Sequence, residues 1–312
     1  MFYDPAQLDA LRAAVSEGTF EAAARRLRVT PSAVSQRIRA LENTVGRVLL
    51  SRSKPVEPTE SGRVLLRLAR QLDTLSGDVA RELGAPDGDA SGEPGSGGND
   101  RPRVRVPIAV NADSLATWFL PPLARLAQQH PVVFELHRDD QDFTAALLES
   151  GTVMGAVTSR AVPIAGCRVS ALGAMRYEAV ATPAYVARWL PRRVDAGALA
   201  AAPLVDFDRR DDLQARWLTA MGADPGLPPR NFVPASSDFA SATLLGLGWA
   251  LLPTFQSAGP LAEGGLVRLG GPPIDVPLYW HQWNLRSPLL DAIADEIVAE
   301  GRRVLAPGVS RR

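Results

Sequence analysis

Hydrophobic positions near the start of the chain recur at the spacing of an α-helix. The first helix begins at Asp4, a residue type that caps helix N-termini, and its apolar face consists of Leu8, Leu11 and Val15. Two further start signals follow, Thr19 before an alanine-rich run and Thr30 before Pro31. The pattern therefore predicts three helices, with a tight turn near Arg28 between the last two.

The third helix has one apolar and one polar face. Its apolar face consists of Val34, Ile38, Leu41 and Val45, and its polar face of Ser32, Ser35, Gln36 and Arg39. Glutamine pairs with adenine and arginine with guanine when the first turns of a helix enter a major groove. These residues predict a helix-turn-helix that reads DNA. The alternative is a helical hairpin within a larger fold, with a solvated polar face.

The local charge favours DNA binding. Residues 25–54 contain a single acid, Glu42, and eight basic residues: Arg25, Arg26, Arg28, Arg37, Arg39, Arg47, Arg52 and Lys54. The whole chain has 34 basic and 34 acidic residues, so this excess is local and is typical of a phosphate-binding surface. An apolar run at 48–50 leads into residues 51–59, which we predict to be a short two-stranded wing with basic residues at its tip.

A long helix is predicted from Thr59 to residue 83. Its apolar positions are Val64, Leu65, Leu68, Leu72, Leu75, Val79 and Leu83, which form a seam. A seam on an exposed helix usually pairs with a second copy, and such a pair would place two recognition helices on successive turns of DNA. The alternative is a helix packed on its own domain.

Residues 84–102 lack apolar periodicity and are rich in glycine, proline, serine and aspartate. This composition predicts a flexible linker between two domains. A surface insertion without a regulatory role is the simpler interpretation of its length.

Beyond residue 102, short apolar runs alternate with amphipathic stretches. Strands are predicted at 104–110, 132–136 and 154–157, and helices at 115–129 and 143–150. This order predicts an α/β domain with a parallel sheet and right-handed crossovers.

A second unit at about 183–278 repeats the pattern, with a helix at 239–247 and a strand at 249–252. The final helix, which runs to Val304, is predicted to return to the first unit. Crossing segments near 178–182 and 278–283 would join two lobes, and ligands in such folds bind between the lobes.

Composition restricts the class of protein. A length of 312 residues with 46% hydrophobic content suggests two or more packed domains. One cysteine, Cys167, excludes an internal disulfide framework, and no signal peptide or membrane-spanning run is present, so we expect a cytoplasmic protein that does not contact a membrane. The chain has no HExxH, GxSxG, P-loop or GxGxxG motif, and its three histidines are scattered, which argues against an enzyme.

Candidate ligand-binding residues cluster at three predicted junctions. The first junction contributes Asp113, Ser114, Thr117 and Trp118; the second Asp139, Asp140 and Asp142; and the third Ser236, Ser237 and Asp238, with Asp206 between the last two. Hydroxyls and N–H groups at helix starts suit a carboxylate, and the acids suit a cation, so the residues suggest a basic amino acid as ligand. Asp113 could instead be an ordinary helix cap, and the acids at 139–142 could merely cap the next helix.

The N-terminal part resembles the LysR-type transcriptional regulators. The resemblance is carried by residues 20–24, 30–38, 41–42, Gly46 and 58–62. It implies a winged helix-turn-helix (1–58), a linker helix (59–83) and a two-lobed α/β effector domain (103–312) like that of periplasmic binding proteins, with lobe I at about 103–178 and 283–312. The flexible linker at 84–102 departs from the family, whose members usually have a much shorter joint there. It also implies DNA contacts by Thr30, Pro31, Ser32, Ser35, Gln36, Arg37, Arg39, Arg52 and Lys54.

The effector domain is similar to the lysine/arginine-sensing branch of that family. The similar segments are 111–119, 155–157, 166–167, 172–173, 175–177 and 276–280. The resemblance implies a homodimeric or tetrameric activator of a basic amino acid exporter gene, with double-stranded promoter DNA and RNA polymerase as partners, L-lysine or L-arginine as effector and no cofactor. A LysR-type regulator of a different small molecule is the alternative; basic residues in place of the acids at 139–142 would have favoured it.

Overall fold

The N-terminal unit consists of three helices that begin where the sequence predicts them. The computed structural model describes residues 3–51, 53–82, 103–138 and 146–307. The helices are α1 (Pro5–Glu17), α2 (Phe20–Leu27) and α3 (Pro31–Val45). The capping oxygens of Asp4, Thr19 and Thr30 each accept a backbone N–H two or three residues further on, at 2.9–3.2 Å. Arg28, with a φ of 54°, ends α2 and makes the predicted turn.

The predicted apolar stripe of α3 forms the core of this unit. Val34, Ile38 and Leu41 are buried against α1 and α2, whereas Val45 at the end of the helix is partly buried. Leu65 and Leu66 of the next helix close the same core. Because each fully buried aliphatic side chain contributes about 1.5–3 kcal/mol, this stripe fixes α3 with its polar face outward.

The wing is short, and a long helix follows it. Leu50 pairs with Pro58 in an antiparallel bridge, and the Ser51 N–H donates to the Glu57 carbonyl at 2.8 Å. The Thr59 hydroxyl then accepts the Gly62 N–H at 3.1 Å, which caps α4 (Glu60–Glu82). Arg52, expected at the wing tip, and the predicted linker at 84–102 lie outside the described residues.

A mixed sheet runs through both lobes of the effector domain. Its strands are β1 (Val104–Val110), β2 (Val132–Arg138), β3 (Gly155–Thr158), β4 (Cys167–Ala181), β7 (Ala250–Pro253), β8 (Val267–Arg268) and β9 (Ile274–Trp283). They are ordered β2-β1-β3-β9-β4-β7, with β8 on β4. The pairs β1–β2 and β1–β3 are parallel, as predicted, whereas β9 is antiparallel to β3 and β4.

Helices cover the sheet, and a small second sheet supports the second lobe. The helices are α5 (Ala112–Thr117), α6 (Leu120–Gln129), α7 (Pro183–Trp189), α8 (Ala196–Ala201), α9 (Leu213–Ala220), α10 (Ser236–Leu244), α11 (Thr254–Ala262) and α12 (Pro288–Val304). The small sheet pairs β5 (Leu204–Asp206) with β6 (Arg230–Phe232) in parallel. Among the described helices, none is both long and apolar enough to cross a bilayer.

Two helix predictions need correction. The stretch predicted as one helix at 115–129 contains two, α5 and α6, with a break at Trp118 and Phe119. Pro121 and Pro122 explain the break, because proline has no N–H and its ring clashes with the carbonyl of the preceding turn. The helix predicted at 239–247 is α10, which begins at Ser236 and ends before Gly246, where φ is 78°.

The strands that join the lobes cross earlier along β4 than the sequence suggests. Residues 178–181, predicted as a crossing, already pair with β7 and β8 of the second lobe. The β4–β9 register shifts between Ala171 and Gly173, and the pairing passes there from the first lobe to the second. The crossing therefore lies at about 171–177 of β4 and 274–279 of β9. A bulge bends a strand and increases its local twist, which lets β4 leave the first lobe and continue into the second.

The final helix returns to the first lobe, as predicted. Arg125 of α6 donates to Glu300 of α12 at 2.8 Å, and Glu296 also accepts a hydrogen bond from Arg125. Beyond α12, Ala306 pairs with Ala174 of β4. The end of the described chain therefore contacts the crossing strands.

Candidate functional site

The polar face of α3 lies at the surface of the N-terminal unit. Ser32, Gln36 and Arg39 are exposed, and Ser35 and Arg37 are half-buried. The Thr30 hydroxyl accepts the Ala33 N–H at 3.2 Å and lies 2.9 Å from the Ser32 hydroxyl, so it shapes the start of the helix. Pro31 occupies the first helical position, and it is also exposed. This arrangement leaves short polar groups, an amide and a guanidinium at the first turns of a projecting helix.

The wing lies beside this face. A groove of about 550 Å³ separates the start of α2, the outer side of α3 and the wing, and Ser35, Arg39 and Lys54 are among its lining residues. Glu42, the single acid in the basic stretch, accepts the Leu49 N–H at 2.8 Å and so holds the start of the wing. Arg26 is paired with Glu17 at 3.0 Å. The surface around α3 and the wing is therefore polar and basic, which suits a nucleic acid.

A cleft of about 450 Å³ opens between the two lobes. The first lobe contributes Asn111, Ala112, Asp113 and Ser159, and the crossing strands contribute Tyr177, Asp275, Val276 and Pro277. The second lobe contributes Phe207, Asp208, Arg210, Asp211, Asp212, Leu213, Arg216, Phe239, Leu251 and Pro253. Cavities of this size hold small molecules.

Asp113 connects three parts of the cleft. Its carboxylate accepts the Tyr177 hydroxyl and the Ser236 hydroxyl, both at 2.6 Å, and Gln256 donates to the same Ser236 oxygen at 3.1 Å. Tyr177 belongs to a crossing strand, and Ser236 and Gln256 belong to the second lobe. Burial, assisted by the negative charge of Asp113, raises the pKa of the Tyr177 hydroxyl, which therefore stays protonated and keeps donating.

Five aspartates line the cleft, and they differ in their partners. Asp208 lies 3.6 Å from Arg210, Asp212 lies 3.8 Å from Arg216, and Asp275 accepts two bonds of 2.8 Å from Arg176. Those bonds lower the pKa of Asp275. Asp113 is held by hydroxyls, and Asp211 accepts the Leu213 N–H at 3.0 Å. Among the residues that the structure describes, the hydrogen-bond donors to the last two carboxylates are neutral.

Asp211 is the most perturbed of these carboxyls. Burial raises its pKa to about 6, and the negative charges of Asp206, Asp113 and Asp212 act in the same direction, whereas the Leu213 N–H opposes them. An opposite charge placed beside Asp211 would reverse this shift. The local electrostatics therefore favour a cation in the cleft.

The structure brings some predicted ligand residues to the cleft and places others elsewhere. Asp113 lines the cleft, and Ser236 donates a hydrogen bond to the carboxylate of Asp113 at the edge of the cleft. Ser114 is fully buried, Trp118 packs edge-on against Phe119 at 5.6 Å, and Thr117 donates to the Asp113 carbonyl at 2.6 Å. Ser114 and Thr117 follow Asp113 on the short helix α5 and Trp118 ends it, and none of the three lines the cleft.

Among the other predicted residues, Asp206 does not line the cleft either. It is buried and pairs with Arg230 of the neighbouring strand. Ser237 and Asp238 are exposed on the first turn of α10, outside the cleft. Asp139, Asp140 and Asp142 lie outside the described residues.

Sequence reasoning did not select Tyr177, Asp208, Asp211 or Asp275 as ligand-binding candidates. Asp208 and Asp211 belong to a charged run, 206–212, of which only Asp206 was chosen. A signal was available for that run, because a strand precedes it and ligands bind at the carboxyl ends of strands. No such signal marks Tyr177, because the alternation along β4 only predicts that its side chain faces inward, as an ordinary core residue does.

Both parts of the chain match models of one protein family. Residues 5–63 match the bacterial regulatory helix-turn-helix protein of the lysR family, and residues 99–302 match the LysR substrate binding domain. The HTH-type transcriptional regulator LysG of Mycobacterium tuberculosis is 44% identical over 296 residues, which cover 95% of this chain and 93% of that protein.

Solved structures agree with these matches. The crystal structure of ArgP from Mycobacterium tuberculosis has a TM-score of 0.87 and 42% identity and covers 99% of this chain and 100% of that one. Full-length LysG from Corynebacterium glutamicum with bound effector Arg has a TM-score of 0.78 and 38% identity, covering 97% and 100%. That protein's name is lysine export transcriptional regulatory protein. The chain belongs to the LysR family of bacterial transcriptional regulators.

Proposed function

We propose that this protein is a DNA-binding transcriptional activator whose lobes bind L-lysine or L-arginine and which controls the gene of a basic amino acid exporter. The observation that carries the proposal is the pair of carboxylates in the cleft, Asp113 and Asp211, whose hydrogen-bond donors are neutral. A basic amino acid has two cationic groups, its α-amino group and its side chain. Carboxylates whose donors among the described residues are all neutral favour such a ligand over a neutral or acidic one.

The relatives support this choice of ligand. The LysG structure from Corynebacterium glutamicum contains arginine as its effector, and the name of that protein refers to lysine export. The cleft of about 450 Å³ is large enough for a single amino acid. The ligand acts by binding one arrangement of the lobes better than the other, since equal affinity for both arrangements would shift nothing.

The DNA-binding part of the proposal rests on α3 and the wing. Ser32, Ser35, Gln36 and Arg39 would meet base edges or nearby phosphates, and Arg52 and Lys54 would flank the minor groove. Thr30 and Pro31 would set the position of the helix, and Arg37 would bind a phosphate. RNA polymerase is the expected partner of an activator, and the cytoplasm is where such a regulator meets DNA.

A second copy of the chain completes the proposal. The side chains of Val64, Leu72 and Val79 on α4 are exposed by 65%, 43% and 53%. An exposed apolar seam on a long helix suits pairing with its own copy, in a homodimer or a dimer of dimers.

The boundaries 1–58, 59–83, 84–102 and 103–312 remain our proposed division of the chain.

Calorimetric titration of the purified protein with L-lysine, L-arginine and uncharged L-norleucine tests the effector. We expect saturable binding of the two basic amino acids and none of norleucine. Asp211→Asn should weaken the binding, whereas the matched variant Asp238→Asn, on an exposed residue of the same lobe, should leave it unchanged. If the wild type binds DNA but none of these amino acids, the effector is a different small molecule. The assignment of the cleft as a site for a cationic ligand is then wrong.

A further inference from the structure

Helix α4 contacts the first lobe of the effector domain directly. The Arg67 guanidinium donates from Nη2 to the Ala165 carbonyl at 2.9 Å and lies 3.9 Å from the Cys167 sulfur. Ala165 belongs to the loop 159–166, which joins β3 to β4. The contact spans about a hundred residues of sequence, so it joins the two domains independently of the chain that links them.

Two glycines form the seat for this arginine. Gly151 and Gly166 have φ values of 71° and 70°, in the left-handed region that side chains rarely adopt. A Cβ atom at Gly151 would lie 2.8 Å from the Arg67 Cα, and one at Gly166 would lie 2.5 Å from Nη2. A larger residue at Gly151 would therefore press on the backbone of α4, and one at Gly166 would push the Arg67 guanidinium away from the loop.

The same helix belongs to the core of the DNA-binding unit. Leu65, Leu66 and Ala69 are buried there, so Arg67 lies between residues fixed to the other domain. Arg12 of α1 pairs with Asp73, less than two turns further along α4. A displacement of the α4 backbone at Arg67 would consequently be passed to the helix-turn-helix, since α4 is packed against it on both sides of this residue.

The other end of the loop lies in the cleft. Ser159 lines the cleft, and the carbonyl of the next residue, Arg160, accepts a hydrogen bond from buried His281 at 2.7 Å. Ile164 is buried, and the Gly166 carbonyl accepts the Asn284 N–H at 3.0 Å. The loop is thus attached to the sheet at both ends and connects the cleft wall with α4 over seven residues, from 159 to 165.

We propose that the loop 159–166 and Arg67 form the coupling element that carries the state of the cleft to the DNA-binding unit of the same chain. The response to an effector rests on the function proposed above, whereas the contact and its response to DNA do not. Coupling between two sites is reciprocal, so DNA bound to the helix-turn-helix must also alter the loop. Spatial continuity suggests such a path, and perturbation at both ends tests it.

Hydrogen exchange of the full-length protein measures the contact without ligand. Arg67→Ala should speed exchange in the loop, and Gly166→Ala should speed exchange at 63–71 of α4, each by about tenfold or more, as expected for the loss of one hydrogen bond to a charged group. Arg63→Ala on the exposed side of α4 is the matched control for the first variant. Gly222→Ala is the control for the second, because Gly222 has a similar φ of 72° and nothing lies within 4 Å of an added Cβ.

Hydrogen exchange in the presence of ligands tests whether a change at one site reaches the other. Excess duplex DNA at low salt should change exchange of the loop in the wild type and in Arg63→Ala but not in Arg67→Ala. Saturating L-arginine should protect the cleft segment 207–216 in the wild type, in Arg63→Ala and in Arg67→Ala. It should change hydrogen exchange of α4 in the wild type and in Arg63→Ala only.

The outcomes separate the two proposals. An unaltered loop in Arg67→Ala, or a response to DNA that survives this substitution, would overturn the coupling element. If arginine and lysine leave 207–216 unprotected while DNA still reaches the loop through Arg67, the effector assignment is wrong and the coupling element stands. Protection of the cleft segment in the wild type without any change in α4 would refute the coupling and leave the effector intact.

Discussion

Replacing Asp211 by asparagine should weaken effector binding and stabilise the empty protein. Asparagine keeps an oxygen that can accept the Leu213 N–H but removes the charge. A hydrogen bond to a charged group contributes about 1.5–3 kcal/mol, so the dissociation constant for lysine or arginine should rise about 10- to 150-fold at pH 8.

The pH dependence follows from the raised pKa. With a pKa of about 6, the Asp211 carboxyl is almost fully ionised at pH 8 and about one-tenth ionised at pH 5. The wild type should therefore lose about tenfold in affinity between pH 8 and pH 5, with most of the loss below pH 6, whereas Asp211→Asn should lose much less. The two proteins should converge in acid.

The Asp211→Asn substitution should weaken effector binding but increase the stability of the empty protein. A carboxyl whose pKa is higher in the folded than in the unfolded state binds more protons when folded, so its ionisation costs stability as the pH rises through the window from about 4 to about 6. The difference from 3.8 corresponds to about 3 kcal/mol at most, and partial exposure reduces this to about 1–2 kcal/mol. Asp211→Asn should raise the free energy of unfolding by that amount at pH 8 and leave it nearly unchanged at pH 4.

Calorimetry at pH 5–8 in two buffers of different ionisation enthalpy measures affinity and proton release together, and urea unfolding measures stability. Wild-type binding near pH 6 should release about half a proton, since the effector displaces it from Asp211. A dissociation constant that does not depend on pH, or an Asp211→Asn variant that binds like the wild type, would refute the role given to this carboxylate.

Three further predictions concern the DNA surface and the cleft. Gln36→Ala should weaken binding to the cognate promoter by about 1–3 kcal/mol, as seen by gel shift, while its salt dependence and its binding to random duplex stay the same. Lys54→Ala should weaken binding to every duplex and reduce the slope of log K against log salt by about 1; an unchanged slope would mean that Lys54 contacts no phosphate. Tyr177→Phe removes one of the two hydroxyl donors of Asp113 and should lower the free energy of unfolding by about 1–3 kcal/mol in urea titrations, whereas an unchanged midpoint would show that the bond contributes nothing.

Local signals explain why the helix-turn-helix could be predicted in detail. The caps at Asp4, Thr19 and Thr30 act on N–H groups two or three residues away, so the sequence contains nearly all the information that places them. The position of Asp113 is also local information, since it lies in the first turn of α5 shortly after a strand.

The rest of the cleft depends on contacts between distant residues. Asp206 and Asp211 lie in one charged run, yet Asp206 turns to Arg230 of a neighbouring strand, and Asp211 turns to the cleft. The choice between them is made by the parallel pairing of β5 with β6, and the run itself does not contain it. Similarly, Tyr177 donates a hydrogen bond to Asp113 because the fold brings the crossing strand β4 to α5, across 64 residues of sequence.

The close packing at Gly173 makes the segment after α12 part of the hinge. Gly173 has a φ of 135°, and a Cβ atom there would lie 2.7 Å from that of Leu305, while Ala174 and Ala306 exchange both backbone hydrogen bonds, at 2.8 and 3.0 Å. The crossing strand β4 is thus clamped at the point where it changes lobe. Opening of the cleft must therefore twist the β4–β9 ribbon beyond this clamp, and truncation before Leu305 would release a movement that the intact chain restrains.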